Sequence, residues 1–175
     1  MANATADLPI DTIGGPGPFT MNLPVDGGAT IYRGTLVSQL TSTGMAVPYS
    51  TASSGPCIGV AQHGIDNAGG SDGDVRVMVE TKRCYAFANG AGGDAFSEAS
   101  LIGALVYGTD DHTVADNSNS LARKAVGFFM GMEADGAVRV MVDPLLANIV
   151  DMLQTLTDTP ASADALRDDI AGQFG

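Results

Sequence analysis

The sequence predicts a mainly β protein: a small β-barrel or β-sandwich built from a duplicated β-unit, with an extended N-terminal arm and C-terminal α-helices. The hexapeptide VRVMVE at 75–80 returns as VRVMVD at 138–143. Valine recurs at every second position of both copies, which is typical of a strand with one buried face. Most of the 23 glycines stand in short clusters between apolar runs, where they indicate the turns of an all-β chain.

The segments around the two hexapeptides indicate that the repeated unit is longer. GTLV, MAVP and IGVAQ precede the first copy, and GALV, HTVAD and VGFFM precede the second in the same order. One loop, GIDNAGGSDGD in the first copy, is shortened to GMEADGA in the second, as expected if loops absorb length changes. Two copies are too few for a solenoid. We therefore expect two related halves, 29–88 and 101–142, to close together into one barrel or sandwich over residues 29–142.

Residues 1–28 are predicted to form an extended arm. Four prolines and five glycines in this segment prevent a long regular element. Apolar residues are nonetheless too frequent for a merely disordered tail. We expect the arm to pack either on its own barrel or on a neighbouring molecule, with the candidate contact residues Leu8, Ile10, Ile13 and Phe19.

The elements of the two halves follow from alternating apolar residues between Gly-rich turns. Residues 89–100, NGAGGDAFSEAS, are predicted to be a loop on the outer surface between the halves, and DDHTVADNSNS a polar turn region in the second half. The strands predicted in the first half are 29–32, 35–40, 44–47, 57–62, 75–80 and 83–88.

The pattern changes to helical in the C-terminal segment 143–175. Asp143 is placed to cap a helix and Pro144 to occupy its first position. A second helix is predicted after Thr159 and Pro160 by the same signals. We expect the first helix either to close the open end of its own barrel or to form a subunit interface. Its apolar residues at helical spacing are Leu145, Leu146, Ile149, Val150 and Leu153.

The charge excludes several classes of partner. The chain has 8 basic and 20 acidic residues and a formal net charge of −12. It therefore cannot neutralise a row of phosphates, so nucleic acid and anionic membrane surfaces are disfavoured. No segment has the pattern of a signal peptide or of a transmembrane helix. Cys57 and Cys84 lack metal-binding spacing, and we expect two buried free thiols.

No motif in the sequence predicts catalysis, a cofactor or a metal. Asp110, Asp111 and His112 are interpreted as an Asp-rich turn in which Asp bonds its own backbone, because no further ligand stands at a fixed spacing. The basic pairs Lys82–Arg83 and Arg123–Lys124 are interpreted as solvated charges at strand edges, with contact to an acidic partner as the alternative. We therefore expect a protein that is not an enzyme.

The order of the motifs resembles the head decoration (cement) proteins of tailed bacteriophages. In that family a G-x-L-V strand precedes IGVA, a Gly/Asp loop, V-x-V-x-V and a short aromatic strand. The matching pieces are Gly34–Val37, Ile58–Ala61 and Val75–Val79, followed by Tyr85 and Phe87. The second half is similar to the later part of longer members, so the resemblance covers roughly residues 26–142. The C-terminal helices depart from the short members of the family.

The resemblance implies a structural virion protein. Such proteins bind the outer surface of the expanded capsid, often as trimers, and staple neighbouring major capsid subunits against DNA pressure. The expected partners are the phage major capsid protein and further copies of this chain. The expected location is the outer capsid surface of the virion, after synthesis in the host bacterial cytoplasm.

A surface or fibre-type adhesion module that binds a receptor or glycan is the alternative. It would share the β-body and the acidic surface. However, sugar-binding sites commonly stack the sugar on aromatic rings, and the chain has no Trp. The missing secretion signal also disfavours a secreted bacterial module.

Overall fold

The computed structural model of the protein describes residues 5–6, 19–51 and 55–158, with side chains described to residue 153. This part of the chain forms twelve strands, one short 3-10 turn and one helix. In chain order they are β1 (Phe19–Pro24), β2 (Thr30–Ile31), β3 (Leu36–Gln39), β4 (Ala46–Pro48), β5 (Cys57–Ala61), β6 (Ile65–Asp66), β7 (Arg76–Thr81), β8 (Arg83–Asn89), the 3-10 turn Gly92–Asp94, β9 (Leu105–Gly108), β10 (Thr113–Ala115), β11 (Ala125–Met132), β12 (Val138–Val142) and α1 (Pro144–Asp158).

The predicted mainly β fold with a barrel and a C-terminal helix is confirmed. One five-stranded sheet has the order β1-β7-β5-β3-β4. A second set of five strands, β10-β8-β12-β11-β9, closes into a barrel. The short strands β2 and β6 pair beside the first sheet.

The two five-stranded units have the same topology. Each neighbouring pair of the first sheet is antiparallel, and so is each corresponding pair of β8, β12, β11, β9 and β10. The barrel is closed by parallel pairing of β10 with β8, including Val114 opposite Asn89. The ends of the first sheet meet at one parallel bridge, Val25 opposite Ala46. The first sheet is therefore a nearly closed copy of the second barrel.

This topology corrects the sequence-based interpretation of the repeat. The two copies do not share one barrel, because each copy wraps around its own core. The first copy begins at β1, inside the segment 1–28 assigned to the arm, and β8 belongs to the second barrel rather than to the first half. FTMNLP of β1 and RCYAFAN of β8 have no identical residues at equivalent positions, so only their equivalent pairing with the two VRV strands reveals the correspondence.

The register differs between the two copies by two residues. Val60 lies opposite Glu80 in the first sheet, whereas the matched Phe128 lies opposite Met141 in the barrel. The hexapeptide match would place Asp143 there. A shift of two residues leaves every side chain on its original face, so both copies keep valines in their interiors.

The nearly closed first sheet, called the first barrel below, shares buried contacts with the second barrel. Val37, Ala61, Val77 and Val79 form part of the core of the first sheet. Side chains on its other face pack into the core cluster of the second barrel, which also holds Tyr85, Val126 and Val142; they are Leu36, Tyr49, Cys57 and Val60. These contacts make the two repeats one packed body.

Hydrogen bonds to the backbone of the second barrel strengthen this junction. The Tyr49 hydroxyl donates to the Gly108 carbonyl oxygen at 3.1 Å and accepts from the Lys124 N–H at 3.1 Å. The Leu36 N–H donates to the Asp111 carbonyl oxygen at 2.7 Å. Tyr49 is completely buried, so both of its partners would lose their hydrogen bonds inside the protein if the hydroxyl were removed.

α1 lies against the wall of the second barrel and does not close its end, which corrects one of the two roles considered for it. Val106 and Val126 point inward, so Leu105, Tyr107 and Ala125 lie outside, where they cluster with Ala147 of the helix. The Asp143 carboxylate accepts a hydrogen bond from the Leu146 N–H at 3.3 Å, as predicted for the cap. The second predicted helix lies outside the described residues.

The loop at 89–100 is anchored to the second barrel. Phe96 is buried and stacks on Phe129, with ring centroids 4.8 Å apart. Asp94 accepts a hydrogen bond from the Arg123 guanidinium at 2.7 Å. Arg123 is only 6% exposed, which corrects its interpretation as a solvated edge charge, whereas Lys124 is exposed as predicted.

Candidate functional site: an apolar helix face and a barrel-end cavity

The outer face of α1 is apolar and exposed. Its side chains retain between 47% and 73% of their accessible surface; they are Leu145, Leu146, Ile149, Met152 and Leu153. Contiguous apolar surface of this kind commonly marks an interaction site. The structure thus places four of the five predicted helix residues on one exposed face.

The inner face of α1 explains why the outer face is left uncovered. Val150, the fifth predicted residue, packs against the cluster beneath the helix. The Asn148 amide donates to the Ala125 carbonyl oxygen at 3.0 Å, and the Tyr107 hydroxyl donates to the Asp151 carboxylate at 2.7 Å. Burial, followed by the hydrogen bond to the Asp151 carboxylate, raises the pKa of Tyr107. The polar groups therefore fix the helix to the barrel and leave the outer face to other contacts.

An open cavity of about 530 Å³ lies at one end of the first sheet. Its walls come from β1, β5, β7 and the first turn of α1, and include Met21, Ile58 and Pro144. Lys82 and Asp143 also line it and add polar groups to a mainly apolar surface. The volume is in the range of protein pockets that take an apolar ligand or segment.

Two predicted contact residues meet at this cavity. Phe19, assigned to the arm, and Leu145, assigned to the helix, both line it. Phe19 is 57% exposed although it begins a paired strand, opposite Thr81 of β7. The other predicted arm residues, Leu8, Ile10 and Ile13, lie outside the described part of the chain.

Sequence reasoning missed Met21 and Ile58 as cavity residues. The available signal was the alternation of Phe19, Met21 and Leu23 in FTMNLP, which is the period of a strand. The nearby prolines and glycines outweighed it and led to the assignment of this stretch to the arm.

Cys57 also lines the cavity, while its side chain is almost fully buried. Both Cys57 and Cys84 are buried free thiols, as predicted. Burial raises the pKa of Cys57 to about 12, and burial also raises the pKa of Cys84. Because the thiolate is the nucleophile, neither cysteine has the properties of a reactive one.

A buried polar group that the sequence did not reveal lies where β7 runs into β8. The Tyr85 hydroxyl donates a hydrogen bond to the Glu80 carboxylate, and it accepts one from the Gln62 amide at 2.9 Å. Arg83 contacts the same carboxylate at 3.3 Å. Burial, then the hydrogen bond to Glu80, raises the pKa of Tyr85. Each member of this group has a hydrogen-bond or ionic partner within it. The group therefore has a structural role at the junction between the first sheet and the second barrel.

The Asp110–His112 segment forms a turn with the predicted local hydrogen bonds. Asp110 Oδ1 accepts from the backbone N–H groups of His112 and Thr113 at 3.1 and 2.8 Å. His112 Nδ1 lies 2.7 Å from Asp111 Oδ1. Within the described residues these three side chains are the group with enough ligand atoms in reach of one another, all within 4.8 Å, to hold a metal ion. Of these ligand atoms, Asp110 Oδ1 has a structural role in the turn.

No helix within the described residues has the length and apolarity needed to span a bilayer. No protein-family model matches the chain, and no curated protein matches it.

Proposed function

We propose that this chain is a head decoration protein of a tailed phage. In this proposal it binds the outside of the expanded capsid and staples neighbouring major capsid subunits. The observation that carries the proposal is the exposed apolar face of α1, on a body in which a nearly closed five-stranded sheet packs against a closed barrel. The family resemblance of the motif order supplies the identity of the partner.

The acidic composition agrees with a binding role. A net charge of −12 keeps a protein with an apolar face soluble before it assembles. We further propose that the copies gather as trimers on the shell, with the outer face of α1 contacting a neighbouring copy and the arm contacting the capsid. The role is structural, with no catalytic step.

Mass action explains how such a protein stabilises a shell. A ligand that binds only the expanded state lowers the free energy of that state. Many copies bound side by side multiply a modest contact. An arm can also add a strand to an exposed edge of a capsid subunit, where alternate side chains provide specificity.

Co-sedimentation with expanded capsids that lack decoration tests the proposal. The protein is mixed with shells from the phage that encodes it, and the bound amount is measured as a function of its concentration. We expect saturable binding at a fixed ratio to the major capsid protein. Absence of binding at micromolar concentrations would overturn the proposal and favour the adhesion module, which glycan and receptor binding assays would then examine.

Two variants test the surfaces involved. Ile149→Asp places a charge on the exposed face of α1. As a control, Leu121→Asp makes the same type of change at an exposed leucine in the turn before β11. We expect the first to weaken shell binding and the second to leave it unchanged. Deletion of residues 1–18, which spares β1, tests the arm; unchanged binding would exclude its proposed role.

A further inference from the structure

The cavity at the end of the first barrel and the exposed face of α1 form one continuous apolar surface. Leu145 belongs to both, since it lines the cavity and is also exposed on the helix. On one side of Leu145 the surface is concave, with Met21 and Ile58 among its walls. On the other side it is convex, because Leu146 and Ile149 project from the helix into solvent. A molecule that covers the whole surface must therefore present a projecting apolar part beside a recessed one.

A second copy of this chain has that shape. In a two-fold interface the same patch of each copy meets itself. With the axis passing near Leu145, the convex helix face of each copy lies over the concave cavity of the other, so each exposed side chain is covered in both copies. A small apolar ligand would fill the cavity but would leave the helix face in water, where contiguous apolar surface is unfavourable.

The charges beside the cavity are self-complementary as well. Lys82 and Asp143 both line it and carry opposite charges. A two-fold axis between them brings Lys82 of each copy towards Asp143 of the other, so both contacts are attractive. Among the side chains described for α1, Asp151 is the charged one, and it accepts a hydrogen bond from Tyr107 on the barrel side. The outer helix face therefore brings no like charges together, although the chain is acidic overall.

We propose that the free protein forms a two-fold dimer in which the outer face of α1 of each copy covers the cavity of the other. Ile149 enters the partner's cavity, and Lys82 pairs with Asp143 across the axis. The apolar site is complete only in the dimer, because each copy supplies the cover of the other. The inference goes beyond the proposed function, since it concerns the protein before any shell is present. The trimer proposed on the shell uses the same helix face, so the dimer is a separate state.

Sedimentation equilibrium in the absence of capsids tests the proposal. We expect twice the chain mass of 17.8 kDa at micromolar concentrations. Ile149→Asp on the convex part and Phe19→Asp on the concave part should each raise the dissociation constant at least about tenfold, because a charge would be buried in the interface. Leu121→Asp, at a leucine that is exposed elsewhere, should leave it unchanged. A monomer at micromolar concentrations, a trimer in place of the dimer, or equal effects of the three substitutions would overturn the proposal.

Charge reversal tests the two-fold arrangement itself. Lys82→Asp alone places two like-charged contacts in the dimer, and so does Asp143→Lys alone, so each variant should dimerise at least about tenfold more weakly. An equal mixture of the two variants places opposite charges at both contacts, and we expect it to form the mixed dimer with the affinity of the natural chain. Because each variant is compared with and without the other, lower stability of one fold cannot mimic this recovery. A mixture that dimerises no better than its components would overturn the arrangement, whereas co-sedimentation with capsids tests the proposed function separately.

Discussion

Two glycines at equivalent positions of the repeats set how closely neighbouring strands approach. A Cβ atom at Gly127 would lie 2.1 Å from the Met141 carbonyl oxygen. A Cβ atom at Gly59 would lie 2.5 Å from the Glu80 carbonyl oxygen, and its φ of +149° is also unfavourable for other residues. The glycine in IGVA and VGFF therefore has a steric role in both copies.

Gly127→Ala is expected to destabilise the protein. The new methyl group meets backbone atoms that can move only with the strand, and overpacking of this kind costs about 1–3 kcal/mol in the free energy of unfolding. Chemical denaturation measures the change. Gly93→Ala is the control, because its added Cβ would have no neighbour within 4 Å, and we expect a change within about 0.5 kcal/mol. Equal effects of the two substitutions would contradict the steric argument.

The Asp94–Arg123 ion pair should make stability depend on pH in the acidic range. The hydrogen bond from Arg123, followed by that from Asn117, lowers the pKa of Asp94 below its ordinary value of 3.8. A carboxylate with a lowered pKa stabilises the folded state above its unfolded pKa, and this contribution is lost as pH falls through the folded value. Asp94→Asn should therefore be less stable than the natural chain near neutrality, and the difference should shrink below the ordinary pKa.

Denaturation of both proteins across this pH range measures the effect. Glu98→Gln, an exposed change in the same loop, is the control for general loss of negative charge. A difference between Asp94→Asn and the natural chain that stays constant down to low pH would exclude the ion pair as its source.

At the scale of elements, α1 depends on the barrel wall for its stability. A helix of 15 residues is marginal alone in water, so packing of its inner face must hold it. Ala147 is the completely buried residue of that face, and its small side chain allows the close approach of the helix to Leu105 and Ala125.

Ala147→Leu should detach α1 or strain its packing. We expect a loss of about 1–3 kcal/mol in the free energy of unfolding, with faster amide exchange in the helix than in the strands. Met152→Leu changes an exposed residue on the opposite face and should leave both quantities unchanged. Uniform exchange throughout the chain in Ala147→Leu would indicate instead that helix and barrel unfold together.

The individual elements show which parts of the fold could be predicted from the sequence. Alternating valines located β7 and β12, and the cap signals located α1, because these patterns are local. The role of β1 was not predicted, since its partner β7 lies more than fifty residues away in the chain. The wall that α1 covers could not be predicted either, because its choice depends on the tertiary arrangement of β9 and β11.

At the scale of the whole molecule, the shared core should make the two barrels unfold together. Tyr49 is completely buried and bonds to the backbone of the second barrel. Tyr49→Phe leaves the buried Gly108 carbonyl and the partly buried Lys124 N–H without this partner, at a cost of about 1–3 kcal/mol. We expect one cooperative transition in both proteins, shifted to lower denaturant in the variant.

Amide exchange in both barrels, compared with circular dichroism, tests this expectation. Tyr32→Phe, a change at a half-buried tyrosine, is the control and should shift the midpoint less. Two separate transitions, one for each barrel, would show that the shared contacts do not couple the repeats.

The candidate site was predicted in its parts but not as a whole. From their segments alone, Phe19 was predicted to be a contact residue of the arm, and Leu145 a helix residue for packing or a subunit interface. Their meeting at one cavity requires β1 to belong to the first barrel and α1 to begin beside it. Neither condition has a local signal in the sequence, so only the tertiary structure shows that the two residues meet.

The unequal closure of the barrels has a mechanical consequence. β8 is hydrogen-bonded to β12 on one side and to β10 on the other, whereas β1 has β7 along its length and only the bridge from Val25 to Ala46 beyond its end. A pulling force transmitted through the N-terminal segment would peel β1 away pair by pair, beginning where Phe19 lies opposite Thr81. Under tension β1 should therefore detach before β8, which has hydrogen-bonded neighbours on both sides.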